Sequence, residues 1–387
     1  MTDEVLEHFP PEATPRPEQV RLLRGLADAV AEAWEDPQAP RVLLVEAPPG
    51  VGKSHVAMTL AQWSGDAYLL TSQKLLQDQY EREFGAALHL VKGRDNYRCE
   101  RYGEAPVPTS QGMCRRPRGP ACQCPYVRAK AAALAGPIFC TNTVYFATLR
   151  QWHGEPLRRR RLLIVDEAHN LESQLVGVST VSFPAPEMRA WFGAPLPHLD
   201  SADAYRPLME EHLVRLETRL RDLDRTLDAP RPLEIAPDDF LRRPPSGEEA
   251  ALIAERDTLE TALARVRFFV EGEDQEWAVR YGAGPDDAFE LVPLSVEGPA
   301  AELLSECGEV VVLSSAFLGH HAAVAKHLGL AEDSVRVFRS ASPFALEQRP
   351  IVYRPVGRLS RATLAGLEPA LFAEVAAILG RHATEKG

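Results

Sequence analysis

The chain has 387 residues, 45% of them hydrophobic and 25% charged, which suits a globular protein of two or three domains and excludes long disorder, a fibrous repeat or a disulfide scaffold. Its 43 basic and 55 acidic residues leave a net charge of −12, which argues against a surface coated for non-specific nucleic-acid binding. No apolar run approaches the roughly 18 residues of a membrane span, and Met1-Thr2-Asp3-Glu4 is acidic where a secretory leader is basic; a cytoplasmic protein with no membrane partner is expected.

Val20, Leu23, Leu26, Ala27 and Val30 recur at helical spacing and predict a helix over 18–34. A short apolar run over 41–46, broken by Ala47-Pro48-Pro49-Gly50, reads as a buried strand running into a loop. Further buried strands are expected over 67–70, 137–141 and 162–165. Strand alternating with helix implies a parallel sheet covered on both faces, so the fold class is α/β with a Rossmann-like or RecA-like layered domain. Two stretches interrupt it. Residues 91–135 are rich in Gly, Pro, Arg and Cys, too irregular to pack without something that ties them down. Residues 175–288 shift to charged helices over 208–227 and 248–269, with 11 basic and 18 acidic residues between Arg206 and Glu276. The strand pattern is expected to resume over 289–292 and 309–313. A helix over 322–328, strands over 335–338 and 351–353, and a helix over 363–379 follow.

Ala47-Pro48-Pro49-Gly50-Val51-Gly52-Lys53-Ser54 matches a phosphate-binding loop with Ala in the first glycine position, set between a strand and a helix as that motif requires. Small residues let backbone N–H groups turn toward phosphate oxygens. Lys53 would neutralise the outer phosphates and the Ser54 hydroxyl would ligate Mg²⁺. Downstream, Leu162-Leu163-Ile164-Val165-Asp166-Glu167-Ala168-His169 is an apolar strand ending in two carboxylates. Beside such a loop, Asp166 belongs near Mg²⁺ and Glu167 serves the attacking water.

Cys99, Cys114, Cys122 and Cys124 fall within 92–130, where nine basic residues face three acidic ones. No histidine lies between His89 and His153, so a four-ligand site would use four thiolates, which suit zinc and iron–sulfur clusters alike. Cys140 and Cys307 sit in apolar surroundings and read as core residues. Arg158-Arg159-Arg160-Arg161 reads chiefly as a loop at the lower edge of the sheet.

Asp166-Glu167-Ala168-His169 together with the phosphate loop resembles the superfamily 2 DEAH-box helicases, and the four cysteines between them resemble the iron–sulfur helicases related to XPD and DinG. Arg16-Pro17-Glu18-Gln19 is similar to that family's adenine-reading motif. Leu70-Thr71-Ser72-Gln73 is similar to its DNA-backbone motif, and Lys92-Gly93-Arg94-Asp95-Asn96-Tyr97-Arg98-Cys99 to the start of its cluster segment. Leu313-Ser314-Ser315-Ala316-Phe317-Leu318 resembles its coupling motif, with Ser314 and Phe317 where threonines are usual, and Ser342-Pro343-Phe344 a short signature after it. Asn142-Thr143 stands where the family often has Asn-His.

The resemblance implies ATP, Mg²⁺ and a [4Fe-4S] cluster as cofactors. ATP would be held by Arg16, Gln19, Gly50, Gly52, Lys53 and Ser54, Mg²⁺ by Ser54 and Asp166, and the cluster by Cys99, Cys114, Cys122 and Cys124. Lys53, Asp166, Glu167 and His169 would be catalytic. It implies 5′ to 3′ movement on single-stranded DNA at duplex junctions, in repair or replication. Arg94, Arg98, Arg115, Arg116 and Arg118 would meet phosphates, and Tyr97, Tyr102 or Tyr126 would stack on bases. The implied organisation is a first motor domain over 1–91, 136–174 and 289–345, a cluster domain over 92–135, a helical arch over 175–288, and over 346–387 the start of a second motor domain that the chain does not complete. Arg354, Arg358 and Arg361 are poor candidates for the arginine finger of such a domain. ATP binding with negligible hydrolysis is therefore expected of this chain alone. The rival reading is a non-catalytic module that holds ATP and DNA.

Overall fold

A computed structural model describes residues 3–103, 107–116, 122–152, 157–183, 185–193, 196–228, 244–272, 275–281, 289–345, 347 and 353–381. The chain divides into two units, Met1–Ser342 and Pro343–Gly387.

Among its described residues the first unit has ten strands: β1 (Val42–Glu46), β2 (Ala67–Thr71), β3 (His89–Leu90), β4 (Ile138–Asn142), β5 (Arg160–Asp166), β6 (Val181–Phe183), β7 (Trp277–Tyr281), β8 (Phe289–Pro293), β9 (Gly308–Ser315) and β10 (Val335–Arg339). Seven of them form one sheet in the order β10-β1-β9-β5-β2-β4-β3, and every pairing in it is parallel. Alternate residues of its strands enter two separate cores, as a sheet covered on both faces requires. Leu43, Val45, Leu69, Ile164 and Val312 pack with helices Pro17–Glu35 and Lys53–Ser64. Leu44, Leu70, Leu163, Val165 and Leu313 pack with helices Thr143–Gln151, Leu171–Ser179 and Glu297–Cys307. This is the layered α/β architecture expected of a RecA-like core. Cys140 and Cys307 are fully buried in these cores, as read from sequence.

The register sets the site. Asp166 lies opposite Ser314, and Glu46 opposite Ser315, so the C-terminal ends of β1, β9 and β5 lie side by side at one edge. Those ends and the loops leaving them carry the phosphate loop, the segment Ser314-Ser315-Ala316-Phe317-Leu318 and the two carboxylates. Ligands of open α/β sheets bind at this edge.

The helical insert has its own core and its own sheet. Helices Arg206–Leu227 and Gly247–Glu271 pack through Met209, Leu216, Leu223, Leu259, Leu263 and Phe269. Here one expectation is corrected. The strand expected to resume the parallel sheet near Phe289 instead lies between β6 and β7, antiparallel to both, and buries Phe289 and Leu291 in the insert core. Its apolar run announces a strand and says nothing about its partner.

The arginine run that leads into β5, Arg158 to Arg161, is structural. Arg158 forms a two-pronged ion pair with Asp66 at 2.6 and 2.7 Å, and the Arg161 guanidinium sits 3.6 Å over the Trp34 ring. Arg160 is fully buried and donates to the carbonyls of Ala133, Leu134, Gly136 and Pro137, closing the C-terminal end of helix Pro125–Ala135.

In the second unit, helix Leu364–Arg381 carries Pro369 inside it, and Arg354 pairs with Glu374 at 2.5 Å. The strand expected over 351–353 falls partly outside the described residues, and Tyr353 is not in a strand.

Candidate nucleotide and thiol sites

The phosphate loop turns on two glycines in the left-handed region, Gly50 at φ 85° and Gly52 at φ 88°. A Cβ on Gly52 would lie 2.4 Å from Gln19 Nε2, so only glycine lets the loop approach that side chain. Lys53 and Ser54 then open helix Lys53–Ser64, whose N-terminus directs its positive end at whatever the loop encloses. Gln19 is nearly buried; its Oε1 accepts from the Arg16 N–H at 2.8 Å and its Nε2 donates to Gly52 O at 3.4 Å. Arg16 Nη1 donates to Gly50 O at 2.5 Å. Both residues assigned to the adenine therefore also brace the phosphate loop.

A cavity of about 350 Å³ gathers Arg16, Gln19, Gly50, Gly52, Lys53, Ser54, Asp166 and Glu167. Larger hollows of about 690 and 770 Å³ lie around Trp152 and Arg267, against the insert helices. Neither contains a phosphate loop, so chemistry and not volume singles out the smaller cavity.

Lys53 Nζ stands 3.5 Å from Glu167 Oε1. Asp166 is nearly buried, accepting the Tyr80 hydroxyl on Oδ2 at 3.0 Å and the Glu167 N–H on Oδ1 at 3.0 Å. Burial pushes its carboxyl above the ordinary range, and the Tyr80 bond opposes that shift. Glu167 is, among the described residues, the one non-glycine with positive φ, at 53°. That conformation costs on the order of 1 kcal/mol or more and aims the carboxylate back at Lys53. His169 Nδ1 lies 2.8 Å from Ser315 Oγ and 3.3 Å from Glu167 Oε2, which links the second carboxylate to the end of β9. All the residues assigned to ATP, Mg²⁺ and catalysis thus meet at one sheet edge.

Tyr80 is the residue that sequence reasoning missed. Helix Lys74–Phe84 buries Gln77, Tyr80 and Phe84 on one face, and the polar groups in that otherwise apolar stripe were the available signal.

The four cysteines also converge. Cys99 and Cys124 are buried, with Cys114 and Cys122 partly so. A Cβ on Gly112 would lie 3.4 Å from Cys114 Sγ and 3.6 Å from Cys99 Sγ, so both thiols border that glycine. Cys122 lies beside Cys114 and Cys124. Burial, with the other three cysteines around it, pushes the Cys114 thiol up to about 12. Such a set disfavours bare thiolates and suits a cationic centre that neutralises them. Tyr102 and Met113 pack with Cys99 and keep water from one side. Among the described residues, no three His, Cys, Asp or Glu side chains form a group that could hold a metal ion. Four cysteine donors are the chemistry of zinc sites and iron–sulfur clusters alike.

The basic residues of this segment correct the sequence reading. Arg115 makes a two-pronged pair with Asp257, at 2.6 and 3.3 Å, and Arg116 pairs with Glu249 at 2.6 Å. Both clamp the cysteine segment to helix Gly247–Glu271, so their charges are neutralised within the fold. Tyr102 and Tyr126 are buried, which removes them as stacking platforms; Tyr97 is half-buried, and Arg94 lies 4.2 Å over the Tyr126 ring. Arg98 donates to Gly103 O at 3.0 Å, and Arg118 lies outside the described residues. No helix among the described residues is long and apolar enough to cross a membrane.

No protein-family model and no curated protein matches the sequence. Among solved structures, the chain is similar to one named XPD helicase, at 12% identity and a TM-score of 0.48, over 84% of this chain and 62% of that one. It is also similar to one named truncated XPD, at 11% identity and a TM-score of 0.44, over 81% of this chain and 98% of that one. A third, named XPD apo, has 12% identity and a TM-score of 0.42, over 81% of this chain and 56% of that one. The chain spans less than two thirds of the first and third.

Proposed function

We propose that this chain is the nucleotide-binding motor part of an ATP-dependent DNA helicase of the XPD and DinG kind, which moves 5′ to 3′ on single-stranded DNA at duplex junctions. The observation that carries the reading is the convergence of Lys53, Ser54, Asp166 and Glu167 on one cavity at the C-terminal edge of a parallel sheet. The order of the short motifs in the sequence supports the DNA half of it.

Lys53 and the N–H groups of the loop would hold the β and γ phosphates. Ser54 and Asp166 would hold Mg²⁺, which when bound neutralises charge on the transferred phosphate. Glu167, kept beside Lys53, would orient the attacking water and accept its proton. His169 would carry the state of that carboxylate to Ser315 and so to the coupling segment. Cys99, Cys114, Cys122 and Cys124 would hold a [4Fe-4S] cluster that fixes the irregular segment between β3 and β4. Among the described residues the only arginine lining the cavity is Arg16, already engaged by Gly50. An arginine finger contributes roughly 10³ to 10⁵ in rate, so the chain by itself is expected to bind ATP and hydrolyse it slowly.

The test is fluorescence anisotropy of a labelled single-stranded oligonucleotide, with and without magnesium and a non-hydrolysable ATP analogue. Tight binding whose affinity changes with the analogue, and which blunt duplex competes for poorly, supports the proposal. Binding indifferent to nucleotide would reduce the chain to a passive DNA-binding module, and absence of binding would remove DNA from the account.

A further inference from the structure

We infer that Tyr80 is a positioning residue of the nucleotide site, holding Asp166 beside Ser54 in the arrangement that receives the divalent cation. The inference rests on the reading of those two residues as the cation's ligands and extends it to a side chain outside every motif.

Tyr80 is fully buried, and a buried phenol needs partners for its hydroxyl. It has one proton to give and gives it to Asp166 Oδ2 at 3.0 Å. The Ser54 hydroxyl lies beside the same oxygen. One phenol oxygen therefore stands between the first turn of the helix after the phosphate loop and the last residue of β5. These are the two elements that must stay in register for one cation to meet both.

The ring has little freedom to move. It packs on Phe84 with centroids 5.7 Å apart, and its helix is pinned one turn earlier by Gln77, whose Nε2 donates to Val91 O at 3.1 Å and whose Oε1 accepts from Asn142 Nδ2 at 3.3 Å. Asp166 Oδ1 is fixed from the other side by the Glu167 N–H. With one partner on each oxygen, the carboxylate cannot rotate without breaking a bond, and each oxygen keeps a lone pair for a ligand. Phenylalanine would fill the same space. It would leave a buried carboxylate oxygen without its donor, so the hydroxyl and not the ring does the positioning.

The experiment measures the affinity of a fluorescent ATP analogue in EDTA and in saturating magnesium, for the wild-type chain, Tyr80→Phe and Lys53→Ala. The ratio of the two affinities isolates what the cation adds. Tyr80→Phe is expected to keep the metal-free affinity and to lose about tenfold of the magnesium enhancement, the scale of one hydrogen bond to a charged group. A wild-type enhancement in Tyr80→Phe would overturn the inference while leaving the nucleotide site intact. Loss of metal-free binding as well would make Tyr80 a packing residue and overturn it too. A wild-type chain that binds no nucleotide, or a Lys53→Ala chain that binds as well as wild type, would defeat the site reading and this inference with it.

Discussion

His169 Nδ1 and Ser315 Oγ stand 2.8 Å apart, although 146 positions separate them in sequence. One follows β5 and the other ends β9, and the parallel register of those strands makes the meeting possible. Ser315 Oγ also lies 3.1 Å from Phe317 O, so the bond reaches the loop whose exposed Phe317 faces solvent. Ser315→Ala removes this link at a cost of about 1 kcal/mol. The variant is expected to bind nucleotide as wild type does, while nucleotide no longer alters its affinity for single-stranded DNA; paired anisotropy titrations check this.

Arg116 and Glu249 form a mostly enclosed ion pair at 2.6 Å, and Glu249 also closes the N-terminal capping box with Ser246. Arg116→Ala is expected to cost about 1 kcal/mol or more, since it leaves a partly desolvated carboxylate without its partner. Limited proteolysis should then cut the cysteine segment faster. Combining Arg116→Glu with Glu249→Arg should recover part of the loss, and a double-mutant cycle on urea midpoints reads it.

Chain prepared without oxygen is expected to be brown and to carry iron and acid-labile sulfide. Cys122→Ser should lose both, because Cys122 lies beside two of the other three thiols, while the core residue Cys140 can become Ser with the colour retained. Elemental analysis that finds one zinc per chain and no iron would replace the cluster by an ion.

His212 is nearly buried in the helical insert, stacked 3.9 Å from Phe192, with neither ring nitrogen hydrogen-bonded among the described residues. Burial lowers its pKa; Arg215 lowers it further and Glu211 opposes. The unfolded chain therefore takes up this proton first, near pH 6.5. Stability from the neutral ring is complete above that pH and is lost as pH falls from there toward the lower folded value, by at most about 1.4 kcal/mol per pH unit. Urea midpoints between pH 7.5 and 5.5 should show the decline, and His212→Leu should flatten it.

The sequence made the central strands of the parallel core legible because they are buried on both faces and read as unbroken apolar runs, Val42 to Val45 and Leu162 to Val165 among them, whereas the two-residue edge strand β3 left no such run. The phosphate loop and Asp166-Glu167 were legible because their chemistry demands local residue types. What stayed hidden depends on distant partners. Phe289 to Val292 looks like any buried strand, and only its pairing with β6 and β7 assigns it to the insert. Arg115 and Arg116 look like a phosphate-binding pair until Asp257 and Glu249 are folded against them. The Glu167 backbone angle leaves no periodic trace, and the helical stripe of Gln77, Tyr80 and Phe84 shows a buried phenol without naming its partner.

The most direct test of the nucleotide site is calorimetric titration of the chain with ATP in the presence of magnesium, beside Lys53→Ala. Saturable binding by the wild type at one site per chain, weakened tenfold or more in the variant, is the predicted result. Binding that ignores Lys53, or no binding by a folded wild-type chain, would contradict the account.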